Sequence, residues 1–460
     1  MRIGRSTLVA TIATTVLSLV PSAPAQAAPV DIADQLAAIP GMTVVSEQPA
    51  PGAGFRFFFL TYRQPADHTN PRGGTFEQRL QLLHRDVNRP MILHTTGYDM
   101  PEFAFRSEPT QLVDGNQISV EERFFTPSRP NPANWKKLDI WQAATDHHRI
   151  TEALKTIYTR KWIATGASKG GMTSVYHRRF YPRDLDGVVA YVAPNDVDNA
   201  DDHAYDDFFD SVGSTPACQD SLEAIQREAL TRRTDMVNRL QAQADANGWT
   251  FDQVFGTADK AFEMSVLDLA WTFWQYSLES DCGQVPSVTA SSDEIYTFFD
   301  SVIGMGFYAD QGILSYAPYF YQAATQLGWP QPKFRELKDL LHYPNLYVAN
   351  SSLPVELRSK FDEWPISDVD NWVRTSASQM LFVYGSNDPW GAEPFHPSNK
   401  DSYTYTAPGW NHGSNIARLN PADAAAARAT VQRWAGVPAT APSPRSALDS
   451  RNPDLERRPI

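Results

Sequence analysis

Cysteine is scarce in this chain of 460 residues, which contains only Cys218 and Cys282. No histidine lies at ligand spacing from either of them, so the pair does not make a zinc site. Basic residues are also few, with 40 Lys and Arg against 53 Asp and Glu and a formal net charge of −13. A chain without a basic stripe to neutralise phosphates is not expected to bind nucleic acid.

Long apolar runs are missing as well, except near the start of the chain. Arg2 and Arg5 precede a short apolar stretch, Leu8–Val20, and an Ala-Gln-Ala tripeptide that ends at Ala27 matches a cleavage signal. The alternative is a membrane anchor, but the stretch is too short to span a bilayer. Residues 1–27 are therefore predicted to be a signal peptide, and the mature protein is expected to be secreted and free of the membrane.

The predicted secretion affects how the two cysteines are interpreted. In an oxidising environment an even number of cysteines is most simply explained by disulfide bonds. We therefore predict a bond between Cys218 and Cys282, with two buried free thiols as the alternative.

The stretch from Trp162 to Tyr181 carries the most informative motif. A short apolar strand is followed by Gly166-Ala167-Ser168-Lys169-Gly170 and then by a helical segment. The pattern G-x-S-x-G between a strand and a helix is a nucleophile elbow, in which the serine sits on a strained turn. The glycines are needed because side chains two residues before and after the serine would collide with the neighbouring strand and helix.

The rest of the chain alternates in a way that predicts an α/β fold. Apolar strands dominate from Phe55 to Ile92, and strand and helix patterns then alternate around the elbow. From about Asn195 the pattern becomes helical and aromatic, which predicts an inserted helical cap within an α/β-hydrolase sheet. The predicted division is a signal peptide at 1–27, a propeptide or N-terminal arm at 28–54, the first part of the core at 55–194, the cap at 195–352, the second part of the core at 353–437 and a disordered tail at 438–460.

Two further residues complete a catalytic constellation with Ser168. Asp388 follows the apolar strand Met380–Tyr384, and His412 lies in a Gly-rich loop after the last predicted strand. The order nucleophile, acid, base is that of α/β-hydrolases, and residues just past strand ends meet at one edge of the sheet. A serine hydroxyl needs a neutral imidazole to take its proton, and the carboxylate orients that imidazole. We therefore predict Ser168, Asp388 and His412 to be catalytic.

Such chemistry also requires donors for the oxyanion. The backbone N–H of Lys169 is predicted to be one, because the residue after the nucleophile supplies it in this fold. The loop after the third strand, at Gly97-Tyr98, is predicted to supply another backbone N–H, with Gly97 allowing a close approach. A simple turn at Gly97-Tyr98 is the alternative.

The motifs around these residues resemble those of the secreted bacterial prolyl tri- and tetrapeptidyl aminopeptidases. The matching segments are TGASKGGMT around Ser168, YGSNDPW around Asp388 and PGWNHG around His412, and the resemblance extends from about Phe55 to about Trp434. It implies no metal or cofactor, and peptide substrates with free N-termini, from which three or four residues are released with proline favoured at the cleaved side. Glu122 stands where the distantly similar lysosomal prolyl carboxypeptidase family has a histidine.

An enzyme of this type needs a carboxylate for the substrate's ammonium group and flat walls for proline. Asp196, at the start of the cap, and Asp310, later in it, are candidates for the carboxylate, although a solvated acidic face is the alternative. Trp390 and Trp410, which stand near the acid and the base in sequence, are candidates for the walls, with a role in the core as the alternative.

Two other functions remain open from the sequence. An esterase or lipase on the same fold is the first, since the fold alone does not set the substrate. A non-catalytic binding protein that has kept the fold is the second. A monomer is expected in either case.

Overall fold

The computed structural model describes residues 1, 4, 6–8, 10, 30–52, 54–439 and 446–449. The predicted signal peptide at 1–27 lies almost entirely outside the described residues. Within them, no helix is both long enough and apolar enough to cross a membrane.

A single sheet organises the described part of the chain. Its strands are β1 (Met42–Gln48), β2 (Arg56–Pro65), β3 (Thr75–His84), β4 (Met91–Thr95), β5 (Asn116–Val120), β6 (Trp162–Ala167), β7 (Gly187–Tyr191), β8 (Met380–Gly385) and β9 (Tyr403–Ala407). Their spatial order is β1-β2-β3-β5-β4-β6-β7-β8-β9. The strands from β1 to β5 in this order are antiparallel, and those from β5 to β9 are parallel. The predicted α/β-hydrolase sheet with early antiparallel strands is confirmed.

Helices cover both faces of the sheet and form the region between β7 and β8. They are α1 (Ile32–Ala37), α2 (Glu108–Val113), α3 (Ile140–Leu154), α4 (Lys169–Phe180), α5 (His203–Ser211), α6 (Ala217–Thr231), α7 (Arg233–Asn247), α8 (Ala258–Tyr276), α9 (Ser292–Ile303), α10 (Asp310–Ile313), α11 (Ala317–Gln322), α12 (Trp364–Thr375) and α13 (Pro421–Trp434). One apolar cluster includes residues of α3, α4 and α12 on one face, and another includes residues of α2 and α13 on the other. The central strands β4, β6, β7 and β8 are almost completely buried, because they are covered on both faces.

The helices between β7 and β8 build a separate apolar cluster. Its centre is α8, which is buried nearly all round, as expected of a helix whose apolar residues are not confined to one stripe. A disulfide joins Cys218 on α6 to Cys282 in the turn after α8, with Cα atoms 5.5 Å apart. The bond therefore lies within this region, as predicted. The numbered division between core and cap stays a prediction.

The N-terminal segment is more ordered than its composition indicates. The sequence predicts a propeptide or an arm at 28–54, and within this range the structure places α1 and the edge strand β1, which pairs with β2. Ile32 and Leu36 bury their side chains in the core. The strand is difficult to recognise in sequence because it is an edge strand, and its outward residues are exposed.

The C-terminal tail was predicted to be disordered from residue 438, and this is wrong for residues 446–449. Leu448 is fully buried against Phe57 and Leu83. Asp449 accepts a hydrogen bond of 2.8 Å from Nε of Arg106. The side chains of Leu448 and Asp449 anchor the segment. A composition rich in Pro, Ser and Arg gives no sign of such contacts.

Candidate active site

Ser168 occupies a strained turn between β6 and α4. Its backbone has φ of 55° and ψ of −130°, which non-glycine residues rarely adopt. A Cβ atom added to Gly166 would lie 2.5 Å from the Thr95 carbonyl oxygen, and one added to Gly170 would lie 2.4 Å from the same oxygen. The predicted steric reason for the two glycines is therefore confirmed, and the turn presents the serine at the carboxyl edge of the sheet.

Asp388 and His412 meet at the same edge. Asp388 begins the turn after β8, and His412 lies in the loop after β9. Nδ1 of His412 lies 2.8 Å from Oδ2 of Asp388, and the two residues are 6% and 1% exposed. The other carboxylate oxygen, Oδ1, accepts a hydrogen bond of 3.2 Å from the Trp390 N–H. The carboxylate is thus held from both sides, and it orients the imidazole.

The opposite nitrogen of the imidazole is unengaged. Nε2 of His412 is buried and has no hydrogen-bond partner among the described residues. It makes no hydrogen bond to Ser168 in this structure, and catalytic hydrogen bonds are often long in the free enzyme. With Nδ1 committed to Asp388, Nε2 is the nitrogen that remains to accept a proton.

The cap region holds the histidine loop in place. The His412 N–H donates a hydrogen bond of 3.1 Å to the Gln275 carbonyl, near the end of α8. The Asn411 side-chain amide donates one of 2.9 Å to the Ser277 carbonyl. The position of the His412 imidazole therefore depends on the cap region as well as on the sheet.

The predicted oxyanion donors need one correction. The Tyr98 N–H donates to Thr96 Oγ1 at 3.2 Å, so it is not directed at the nucleophile. The Tyr98 hydroxyl, in contrast, lies 3.5 Å from Ser168 Oγ. Gly97 has φ of 71°, and a Cβ atom there would lie 2.5 Å from the Gly170 nitrogen, which confirms its close approach to the elbow. The backbone N–H groups of Lys169 and Gly97 stay predicted donors.

The side chain of Lys169 is buried beside this turn. It is 2% exposed, its Nζ donates to the Gly97 carbonyl at 2.6 Å, and Nζ lies 3.5 Å from Oε1 of Glu122. Burial lowers the pKa of Lys169, and the Glu122 carboxylate opposes that shift. The pair fixes the loop that carries Tyr98. The sequence analysis noted Glu122 only as a departure from a related family, because its partner is 47 positions away in the chain.

Four aromatic residues, which we call the aromatic wall, connect Ser168 to His412. Successive ring centroids are 5.5 Å apart from Tyr98 to Tyr319, 6.2 Å from Tyr319 to Trp329 and 6.0 Å from Trp329 to Trp390. Trp390 then lies 6.5 Å from the imidazole of His412. The structure therefore places Trp390 at the site. Tyr319 and Trp329 were missed, because nothing in the local sequence separates them from the other aromatic residues of the cap.

Trp410 is not part of this wall. Its ring lies under the guanidinium of Arg418, 3.9 Å from the centroid, and packs with the cluster on the α13 side of the sheet. The side chains of neighbouring loop residues point in different directions. Closeness to His412 in sequence therefore did not place Trp410 beside the imidazole. The prediction of a pocket wall at Trp410 is wrong.

The two acids predicted to bind an ammonium group differ sharply. Asp310 accepts hydrogen bonds from Thr250 Oγ1 and from the N–H groups of Gln253 and Val254, so it stabilises a turn and has no capacity left for a substrate. Asp196 is 3% exposed, and neither of its carboxylate oxygens makes a hydrogen bond of normal geometry among the residues described. Asp310 is therefore a wrong prediction, and Asp196 remains a candidate.

Comparisons with known proteins were made with this geometry in hand. A family model described as PS-10 peptidase S37 matches residues 25–458. The prolyl tri/tetrapeptidyl aminopeptidase of Streptomyces mobaraensis is 53% identical over 411 residues, which cover 88% of this chain and 85% of that protein.

Two solved structures show weaker similarity. Esterase E22 gives a TM-score of 0.40 at 10% identity and covers 82% of this chain and 100% of its own. The peroxisomal alpha-beta-hydrolase Lpx1 of Saccharomyces cerevisiae gives 0.35 at 9% identity and covers 88% and 95%. Both are too distant to inform on the substrate.

Proposed function

Since the chain belongs to the PS-10 peptidase S37 family and is a serine peptidase, we propose that it is a secreted exopeptidase that releases tri- or tetrapeptides from free N-termini. Proline is the preferred residue on the acyl side of the cleaved bond. The observation that supports this most directly is the buried His412–Asp388 pair at 2.8 Å, at the sheet edge where the elbow presents Ser168. Secretion rests on the N-terminal sequence pattern alone.

The reaction follows from the roles of three side chains. Ser168 Oγ attacks the carbonyl carbon of the scissile peptide bond while Nε2 of His412 takes the hydroxyl proton. The imidazolium is stabilised by Asp388, and it gives the proton to the leaving amine nitrogen as the C–N bond breaks. Water then attacks the ester carbon while Nε2 of His412 takes one of its protons. The bond between that carbon and Ser168 Oγ breaks, the imidazolium returns the proton to Oγ, and the short peptide leaves with a new carboxylate.

The tetrahedral intermediate carries a negative charge that must be stabilised without water. The Lys169 N–H, at the start of α4, supplies one donor and benefits from the positive end of the helix dipole. The Tyr98 hydroxyl supplies a further donor beside the predicted Gly97 N–H, since it lies 3.5 Å from Ser168 Oγ and the oxyanion forms within bonding reach of that atom. The buried Lys169–Glu122 pair keeps the Tyr98 loop in position.

The preference for proline is supported by the aromatic wall. Tyr98, Tyr319, Trp329 and Trp390 lie in consecutive ring contact between the nucleophile and the base. A pyrrolidine ring is flat, apolar and rigid, so it packs on such faces with little loss of rotational freedom.

Replacing Tyr98 with phenylalanine is expected to lower kcat by roughly 10²- to 10³-fold, the usual cost of removing one oxyanion donor. KM is expected to change little, because the hydroxyl acts on the charge that develops in the transition state. Steady-state kinetics on an Ala-Ala-Pro chromogenic amide checks this.

Tyr319→Phe serves as the matched control, since it removes a hydroxyl from the same wall without touching Ser168. A Tyr98→Phe enzyme with the kcat of the wild type would show that the phenol is not a donor.

The exopeptidase proposal itself is tested by the products of one long peptide with a free N-terminus. Mass spectrometry is expected to show fragments of three or four residues released from that end. Acetylating the same peptide is expected to lower kcat/KM by at least roughly 100-fold, because a charged hydrogen bond is lost. Equal rates on the free and acetylated peptides would indicate an endopeptidase, and hydrolysis of esters alone would indicate an esterase.

A further inference from the structure

Asp196 is an unusual residue outside the catalytic triad. Its side chain is 3% exposed, and neither carboxylate oxygen makes a hydrogen bond of normal geometry with the described residues. The Trp329 N–H acts on the carboxylate but donates its hydrogen bond of 2.7 Å to Asn199 Oδ1. A buried carboxylate without a partner is costly, so it either keeps a proton or receives a cation. Structural carboxylates in the same region, such as Asp310, have their donors in place.

Three chain segments converge on this side chain. The Asn195 N–H donates to the Glu393 carbonyl at 2.9 Å, which joins the segment after β7 to the loop after Asp388. Asp202 Oδ1 accepts from the Gln331 N–H at 3.0 Å, which joins the same segment to the cap. At Gly328 a side chain would lie 2.5 Å from Asp196 Oδ2, so glycine leaves the room that the carboxylate occupies.

The charges around Asp196 are negative. Glu393 and Asp202, both partly exposed, act on the Asp196 carboxylate most strongly, and the exposed Asp198 acts more weakly. The buried Tyr205 hydroxyl faces both Asp196 and Glu393, and the exposed His203 also acts on Glu393. Lys333, on a neighbouring segment of the cap, is committed to Asp206 at 2.7 Å. No ion pair between described residues includes Asp196, Asp202 or Glu393, which we call the acidic cluster.

The aromatic wall leads from His412 to the segment beside Asp196, along a path comparable in length to a short peptide. The ring of Trp390 lies 6.5 Å from His412, and the ring of Trp329 lies 6.0 Å further on. Trp329 directly follows Gly328, the residue in contact with Asp196. An extended peptide of three to four residues spans ~10–14 Å. The indole N–H groups of Trp390 and Trp329 are also buried without acceptors among the described residues, so they are available to peptide carbonyls.

We propose that the acidic cluster receives the N-terminal ammonium group of the substrate, with Asp196 as the direct ion-pair partner and Glu393 at its outer side. The proposal rests on the exopeptidase function proposed above and identifies the residues that set how many residues are released. The ammonium supplies the donors that Asp196 lacks, and the Trp329–Trp390 part of the wall separates this group from the scissile bond.

The protonation of the cluster gives the binding a characteristic pH dependence. Burial raises the pKa of the Asp196 carboxyl to about 8, and Glu393 and Asp202 add to the shift. Burial likewise raises the pKa of Glu393 to about 7 and that of Asp202 to about 6. Below these values the carboxyls are neutral and attract an ammonium group weakly. Above about pH 8 the substrate's own amine loses its proton.

The test compares kcat/KM for a free tripeptide chromogenic amide with that for its N-acetylated form. Asp196→Asn is expected to lower the free-to-acetylated ratio by roughly 100-fold, and Glu393→Gln by roughly 10-fold, since each removes a charged partner. Asp198→Asn, an exposed acid in the same loop, is the matched control and is expected to leave the ratio unchanged.

Two further readouts make the outcome decisive. Labelling of Ser168 by a small fluorophosphonate, which has no ammonium group, is expected to proceed at the wild-type rate in both variants. In the wild type the ratio is expected to rise from pH 6 to about pH 8, and in Asp196→Asn only the smaller rise that comes from Glu393 is expected to remain.

The two proposals fail in different ways. If the wild-type enzyme cleaves free and acetylated peptides equally, the proposed exopeptidase function is wrong, and so is the proposed ammonium site. If the wild type prefers the free substrate, and Asp196→Asn prefers it just as strongly and labels normally, only the role of the acidic cluster is wrong. If Asp196→Asn does not fold, an unchanged ratio in the partly exposed Glu393→Gln overturns it. A calcium-dependent rise in melting temperature that Asp196→Asn abolishes would assign the cluster to a metal ion instead and overturn the proposal.

Discussion

Replacing Ser168 with alanine is expected to lower kcat by about 10⁶-fold, the loss typical of a removed serine nucleophile. No other described hydroxyl can replace it, because the elbow presents only this side chain at the carboxyl edge of β6. The measurement is release of the chromogenic amine from a free Ala-Ala-Pro substrate, and labelling by a fluorophosphonate is expected to be lost in parallel.

Ser174→Ala is the matched control on the same helix. Its hydroxyl donates to the Gly171 carbonyl at 2.6 Å and is buried away from the site, so near-normal activity is expected. Ser168→Gly adds a second check, since glycine tolerates φ of 55°. It is expected to be inactive and yet more stable by about 1–3 kcal/mol, the strain of such a backbone. An active Ser168→Ala enzyme would refute the nucleophile.

Replacing Asp388 with asparagine is expected to lower kcat by about 10⁴-fold while KM changes little. The Trp390 N–H donates to Oδ1 of Asp388, so the carbonyl oxygen of an asparagine would take that position. Its NH₂ group would then face Nδ1 of His412, where Oδ2 now lies at 2.8 Å. Nδ1 would have to accept a hydrogen bond, and the proton would move to Nε2, which could no longer serve as the base.

Ser386→Ala is the control for this variant. It removes the hydrogen bond of 2.7 Å from the Gly409 N–H to Ser386 Oγ, another contact between the same two loops, but leaves the imidazole and the carboxylate intact. A change of roughly tenfold or less in kcat is expected, as for one neutral hydrogen bond. A loss as large as that of Asp388→Asn would mean that loop order, and not the histidine tautomer, limits the reaction.

The sequence was sufficient wherever the cause of a structure is local. The strained serine is an example, because Gly166 and Gly170 are required by contacts within a few residues of the turn and with one neighbouring strand. Strands with continuous apolar runs, such as β6 and β8, were equally predictable, since burial on both faces demands that composition. The order of Ser168, Asp388 and His412 at strand ends then placed them at one edge.

The tertiary structure decided which side chains face the site. Trp390 and Trp410 are both next to a predicted catalytic residue in sequence, but only Trp390 lies beside the imidazole, whereas Trp410 packs under Arg418. Asp196 and Asp310 are both acids of the region after β7, but only Asp310 has its donors supplied. The surroundings of these four side chains depend on which segments, distant in sequence, pack together. Local sequence patterns do not contain that information.

The amino-acid sequence by itself therefore determined the reaction, because a serine nucleophile needs a particular turn, an order of strands and three residue types, all of which are visible in the chain. What the site recognises was decided by tertiary packing. Tyr98 reaches Ser168 through its hydroxyl and not its N–H, and the loop after β8 brings Glu393 to the segment that carries Asp196. The direction of a side chain is set by contacts between residues far apart in sequence, here 70 positions for Tyr98 and Ser168, so these neighbours could only be read from the folded molecule.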